Sequence, residues 1–82
     1  MSRFEKALSR LKSKPKDFTW RELVSIMMHF GYSEIKGVGS RRKFHHPQTK
    51  AVVSLHEPHP RPVLKAYAIE IITDHLKEQE LI

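Results

Sequence analysis

Apolar side chains recur at helical spacing near the start of the chain, at Phe4, Leu8 and Leu11. Residues three or four apart share one face of a helix, so this pattern predicts a short amphipathic helix over about residues 3–12. Ser2 and Glu5 have the spacing of a capping box at its beginning, and Pro15 follows its end.

A second helix is predicted after this proline. Thr19 and Glu22 form another capping box, and Phe18 and Leu23 are placed to make the hydrophobic contact across it. Helical spacing continues through Trp20, Leu23, Val24, Met27 and Phe30. Glycine is the residue type that most often ends a helix, so Gly31 is expected to end this one. The apolar residues before it are expected in the core.

Alternation replaces helical spacing in the middle of the chain. Residues 32–36 predict a first strand, and a Gly37-Val38-Gly39 turn follows. Residues 41–46 and 51–56 alternate as two further strands, and the four residues between them have turn chemistry. The sequence therefore predicts a β-hairpin.

The register of this hairpin follows if His46 pairs with Ala51. One face then carries two cross-strand pairs, Phe44 with Val53 and Arg42 with Leu55. The opposite face carries two others, Arg41 with His56 and Lys43 with Ser54. One face is apolar at its centre and the other is basic with a histidine, and a slip of one residue would exchange them.

Three prolines, Pro58, Pro60 and Pro62, end the third strand. From Val63 onward, apolar residues at helical spacing predict a last amphipathic helix that ends near Glu80. The predicted order is α-α-β-β-β-α, which indicates an α+β domain with a small three-stranded antiparallel sheet and helices on one face. The other face is left for a partner or for water.

The composition indicates one small domain, because 82 residues can build a single modest core. No apolar run approaches the length of a membrane span, and charges interrupt the N-terminus too often for a secretory signal, so we expect a cytoplasmic protein without a membrane partner. The absence of cysteine excludes disulfides, thiolate metal sites and cysteine catalysis.

The net charge of +6 is concentrated in two segments. Residues 1–16 carry six Lys or Arg against one acid, and residues 36–50 carry five with no acid. The second group adjoins the glycine turn, where free amides and cations favour phosphate, so we predict RNA contacts at Gly39, Ser40, Arg41, Arg42, Lys43, Arg61 and Lys65. A DNA-binding module is disfavoured because the last helix is net acidic and no helix carries a basic recognition face.

Four histidines, His45, His46, His56 and His59, lie close to these cations. His45 and His46 are interpreted as exposed strand-end residues without a role, whereas His56 and His59 are candidates for a site. A metal site is disfavoured because no acid or cysteine completes it. His29 and His75 are interpreted as ordinary helix-face residues.

The order of helix, Gly31, strand, Gly39-Ser40, cationic strand with Phe44 and His46-Pro47, third strand, Pro58-His59 and closing helix resembles the HicA toxins of bacterial toxin-antitoxin pairs. The resemblance covers residues 18–82 of a single domain 1–82, with residues 1–16 as an N-terminal helical extension. It implies a fold similar to the double-stranded-RNA-binding domain. It also implies a metal-independent endoribonuclease that cuts mRNA without a small-molecule cofactor, and a HicB-like antitoxin as its partner.

The family carries a catalytic histidine after Gly-Ser, and the matching position here is Arg41. A guanidinium stays protonated and cannot act as a base. Arg41 is therefore expected to clamp phosphate, while His56 or His59 supplies the imidazole, and these three are the candidate catalytic residues. The alternative is a catalytically silent module that binds RNA or only its antitoxin.

Overall fold

The computed structural model describes residues 2–82. Its elements are α1 (Arg3–Lys12), α2 (Trp20–His29), β1 (Ser33–Lys36), β2 (Arg41–His45), β3 (Val52–His56) and α3 (Ala66–Glu78). The predicted α-α-β-β-β-α order and the α+β class are therefore confirmed.

The first two helices begin at the predicted caps. The Ser2 hydroxyl accepts the amide of Glu5 at 3.1 Å. At the start of α2 the Thr19 hydroxyl accepts the Glu22 amide at 3.2 Å, and the Glu22 carboxylate accepts the Thr19 amide at 3.1 Å. These bonds satisfy backbone donors that a helix beginning leaves free, so both starting points are set locally by the sequence.

The sheet is antiparallel with the order β1-β2-β3. Its hairpin has the predicted register, with Phe44 opposite Val53, Arg42 opposite Leu55, Lys43 opposite Ser54, and Arg41 opposite His56. Alternation along the strands then divides the sheet into a face covered by the helices and an open face. The open face consists of Ser33, Ile35, Arg41, Lys43, His45, Val52, Ser54 and His56.

One hydrophobic core lies between the helices and the covered face of the sheet. From the sheet it takes Phe44, Val53 and Leu55, of which Phe44 is fully buried. From the helices it takes chiefly Leu23, Ile26, Met27, Ile69, Ile72 and Leu76. Of the two faces of the sheet, the open face therefore remains uncovered.

The first helix packs into this same core. Leu11 is fully buried, and the ring of Phe4 stacks on His29 with centroids 3.6 Å apart. Arg10 bonds the Glu22 carboxylate at 2.8 Å and that of Asp17 at 3.1 Å. Burial raises the pKa of Glu22, but the hydrogen bonds from Arg10 and Thr19 outweigh this and bring its pKa below the ordinary value.

The prediction that the last helix begins at Val63 is wrong, because α3 begins at Ala66. The segment before it is extended: the Trp20 amide donates to the Pro62 carbonyl at 2.9 Å, and the Leu64 amide donates to that of Phe18 at 2.8 Å. These backbone groups are paired across the fold and are not available to a helix. Within residues 2–82, no helix has the length and apolar character needed to cross a membrane.

Candidate nucleic-acid interface

The open face of the sheet carries a shallow cationic cavity. It has a volume of about 290 Å³ and is lined by Arg41, Lys43, Ser54 and His56, with Arg42 and Leu55 between them. Arg41 and His56 are directly opposite across β2 and β3, so their side chains leave the sheet together on the same face. We call this the sheet cavity.

The turn before β2 brings Ser40 to the edge of the sheet cavity. The Ser40 Oγ lies 3.2 Å from Nδ1 of His56, and the Ser40 carbonyl accepts the Glu57 amide at 2.7 Å. The turn is closed by a 2.8 Å bond from the Gly37 amide to the Arg41 carbonyl. A Cβ at Gly37 would lie 3.2 Å from that of Arg41, which is closer than an ordinary contact, so the turn leaves little room for a larger residue there.

Arg42 lies on the other side of β2, and its side chain is only 12% exposed. Its guanidinium is 3.0 Å from Glu57 and 3.7 Å from Glu34, and it donates to the carbonyls of Gly39 at 3.0 Å and Arg41 at 2.7 Å. Arg42 therefore holds the turn and the start of β2 in place. Of the adjacent cations predicted to contact RNA, Arg41 and Lys43 are exposed, whereas Arg42 is directed into the protein.

His59, Arg61 and Lys65, the remaining predicted site residues, lie around a different cavity. It has a volume of about 270 Å³, and Lys16, Pro58, Pro60 and Val63 complete its lining. We call this the proline cavity. The structure thus groups Gly39, Ser40, Arg41, Lys43 and His56 at one place, and His59, Arg61 and Lys65 at another.

His46 has a structural role, and its interpretation as an exposed strand-end residue without a role is wrong. Its Nε2 donates to the Phe30 carbonyl at 3.1 Å, and its Nδ1 accepts the amides of Gln48 and Thr49, each at 3.2 Å. It therefore joins the end of α2 to the hairpin turn. Gly31 has φ +95°, and a Cβ there would lie 2.9 Å from His46 Nε2, so glycine is needed for this contact.

His75 is half-buried, and its Nε2 lies 2.6 Å from the Tyr32 hydroxyl. Burial lowers the pKa of His75, and the nearby charge of Glu78 opposes this only in part. Burial also raises the pKa of Tyr32. The neutral forms of both groups are favoured, so the tyrosine hydroxyl donates to the imidazole. This pair fastens α3 to the chain segment that enters β1.

Within residues 2–82, no three His, Asp or Glu side chains come together in a group that could hold a metal ion. The sheet cavity instead combines the charges of Arg41 and Lys43 with the hydroxyl of Ser54 and the imidazole of His56. Apolar side chains lie beside these groups, with Ile35 48% and Val52 49% exposed. Cations suit phosphate, and exposed apolar surface suits the faces of bases.

The fold and this surface together define a small α+β domain with a cationic, histidine-containing sheet face. A family model described as the HicA toxin of bacterial toxin-antitoxin matches residues 20–80. The chain therefore belongs to the HicA toxin family, which makes it the toxin of a toxin-antitoxin system with an antitoxin as its partner. No curated protein and no solved structure gives a significant match to the chain.

Proposed function

We propose that this toxin binds mRNA on the open face of its sheet and cleaves it in the sheet cavity. The observation that carries the proposal is the 3.2 Å contact between Ser40 Oγ and His56 Nδ1, beside Arg41 on the paired strand. An oriented imidazole can act as a general base, and a permanent cation beside it can stabilise the charge on a phosphodiester during cleavage.

His56 acts in this proposal as the general base. When its Nδ1–H donates to Ser40 Oγ, the Nε2 lone pair is free to take the proton of a ribose 2′-hydroxyl. The 2′-oxygen then attacks phosphorus, the bond from phosphorus to the 5′-oxygen breaks, and the leaving oxygen takes a proton from solvent. The products are a 2′,3′-cyclic phosphate and a 5′-hydroxyl, and His56 returns its proton to solvent.

Arg41 stabilises the negative charge that develops on the phosphate during this step. It occupies the position where the family carries a histidine, and a guanidinium supplies charge without proton transfer. A preorganised donor of this kind contributes roughly 10²–10³ in rate. Lys43, two residues further along β2 on the same face, is suited to the neighbouring phosphate.

A HicB-like antitoxin is the proposed partner that neutralises the toxin, since family membership implies an antitoxin. The second candidate function is a catalytically silent module that binds RNA without cutting it. The observation that favours it is that His56 is the only imidazole lining the sheet cavity within the described part of the chain. In the silent module Ser40, Arg41 and His56 hold a phosphate, and growth is inhibited by binding alone.

Expression in bacteria, followed by growth and RNA integrity, separates these functions. Wild type is expected to arrest growth and to produce RNA fragments ending in 2′,3′-cyclic phosphate. His56→Ala is expected to lose about 10²-fold or more of the cleavage rate of the purified protein. His45→Ala is the matched control, because His45 lies on the same face and does not line the cavity.

The results differ for each alternative. Cleavage that persists undiminished in His56→Ala would remove His56 from the mechanism. Soluble wild type that binds RNA, arrests growth and leaves RNA intact would establish the silent module. A HicB-like antitoxin from the same operon is expected to restore growth when expressed with the wild type, and unchanged arrest would exclude it as the partner.

A further inference from the structure

The N-terminal segment joins the family-matched region next to the proline cavity. Residues 18–20 pair with residues 62–64 as two short antiparallel segments, with Thr19 opposite Val63. Lys16 lies outside the matched residues 20–80, yet it lines the same cavity as Arg61 and Lys65.

The proline cavity is lined by cations. Lys16, His59, Arg61 and Lys65 are all exposed at its rim, and no acidic residue lines it. Prolines restrict the backbone between β3 and α3, so this segment has less backbone freedom to lose on binding.

Acids that are near the proline cavity in the sequence are bonded to other cations. Asp17 pairs with Arg10 at 3.1 Å, Glu57 with Arg42 at 3.0 Å, and Glu70 with Lys14 at 3.6 Å. Throughout residues 2–82, no carboxylate lies within 4.0 Å of a charged nitrogen of Lys16, Arg61 or Lys65. Three positive charges therefore converge without an internal counter-ion.

The proline cavity also continues into a second space. An adjoining cavity of about 430 Å³ shares Lys16, Val63 and Lys65 with it and extends to Lys14 and Pro15. The two cavities adjoin, and four cations, Lys14, Lys16, Arg61 and Lys65, lie along them. This shape suits a chain of phosphates better than a single small anion.

We propose that the proline cavity is a second phosphate-binding site, which holds the RNA backbone and which Lys16 of the N-terminal segment completes. The proposal rests on the proposed function in that its ligand is RNA. His59 serves here as a binding residue. The protein chain from His56 to His59 spans at most about 10 Å, so a single RNA strand reaches from the sheet cavity into this site.

The test uses the full chain and a 2′-O-methyl oligoribonucleotide, which lacks the hydroxyl needed for cleavage and so reports binding alone. Affinity is measured by fluorescence anisotropy over a series of salt concentrations. Lys16→Gln, Arg61→Gln and Lys65→Gln are each expected to weaken binding about fivefold at low salt. The slope of log affinity against log salt is expected to fall by up to about 0.7 for each phosphate contact that is lost.

Lys12→Gln and Lys77→Gln are the matched controls. Both lysines are exposed and lie outside the proline cavity. Substituting either one removes the same charge as the test variants do. They are expected to leave the salt slope unchanged. Circular dichroism of every variant establishes that the fold is retained.

A Lys16→Gln variant that behaves like Lys12→Gln would overturn the site. Retained RNA affinity with weakened antitoxin binding in the three variants would also overturn it, since the occupant would then be a protein. Failure of the proposed function looks different: wild type that does not bind the oligonucleotide removes both proposals. If the three variants weaken binding while His56→Ala still cleaves RNA, only the proposed role of His56 as general base is refuted.

Discussion

Arg42 and Lys43 are adjacent in sequence, but their side chains lie on opposite faces of the sheet. Substituting each one separately tests whether Arg42 stabilises the fold and Lys43 contacts RNA. Arg42 is 12% exposed and bonds Glu57, whereas Lys43 is exposed on the open face. Arg42→Gln is expected to lower the free energy of unfolding and to leave the salt dependence of RNA binding close to that of wild type. Lys43→Gln is expected to do the reverse.

The expected size of the Arg42 effect follows from its partners. At 3.0 Å, a pair of unit charges in surroundings of effective dielectric constant 20 attracts by about 5–6 kcal/mol before desolvation is subtracted. Breaking a fully buried pair by removing one partner costs about 3–5 kcal/mol. Glu34 and Glu57 are 22% and 28% exposed, so water partly replaces the guanidinium. We therefore expect a loss of about 2 kcal/mol, which corresponds to a fall of roughly 10 °C in Tm.

The assay is urea denaturation of both variants, followed by oligonucleotide binding at several salt concentrations. Lys43→Gln is expected to change the free energy of unfolding by less than about 0.5 kcal/mol, and to reduce the salt slope by about 0.7. Arg42→Gln with an unchanged urea midpoint and a reduced slope would show that Arg42 contacts RNA and does not hold the turn. That result would refute the assignment drawn from its contacts.

Three further predictions concern the scaffold. His46→Ala removes three hydrogen bonds and is expected to lower the free energy of unfolding by about 2 kcal/mol in urea denaturation, whereas His45→Ala is expected to have a small effect. Leu11→Ala empties a fully buried position and is expected to cost about 3 kcal/mol, clearly more than the half-buried Leu8→Ala; equal effects would show that α1 is not part of the core. His75 has a lowered pKa in the fold, so the unfolded chain binds a proton first as pH falls. The free energy of unfolding is therefore expected to decrease from about pH 6.5 downward, through the lower pKa of the folded state. His75→Gln is expected to flatten this pH dependence, and an unchanged slope would contradict the prediction.

Local patterns predicted most of the secondary structure. The Thr19–Glu22 capping box begins α2 as expected, because a cap depends on residues three positions apart. The hairpin register followed from alternation and from the length of its turn, and it correctly set Arg41 opposite His56. Helix starts and strand register were therefore predictable where the residues involved are near in sequence or joined by a tight turn.

Contacts between distant segments were not predictable in this way. The start of α3 was misplaced because residues 62–64 pair with residues 18–20, and nothing in either segment alone reveals the other. Lys16 remained unassigned in the sequence for the same reason. The bond between Ser40 and His56 depends on how the turn closes around Gly37, which alternation along the strands does not specify.

The internal ion pairs determine where the positive charge of this toxin acts. Five acids, Asp17, Glu22, Glu34, Glu57 and Glu70, pair with Arg10, Arg42 or Lys14. None of them bonds the exposed cations of the two cavities, which are Arg41, Lys43, Lys16, Arg61 and Lys65. A phosphate bound at either place would therefore meet no carboxylate that is paired with these cations in residues 2–82. Salt screens exposed charges more strongly than partly buried ones, so salt that releases RNA is expected to leave the Arg42 pairs and the hairpin they hold intact.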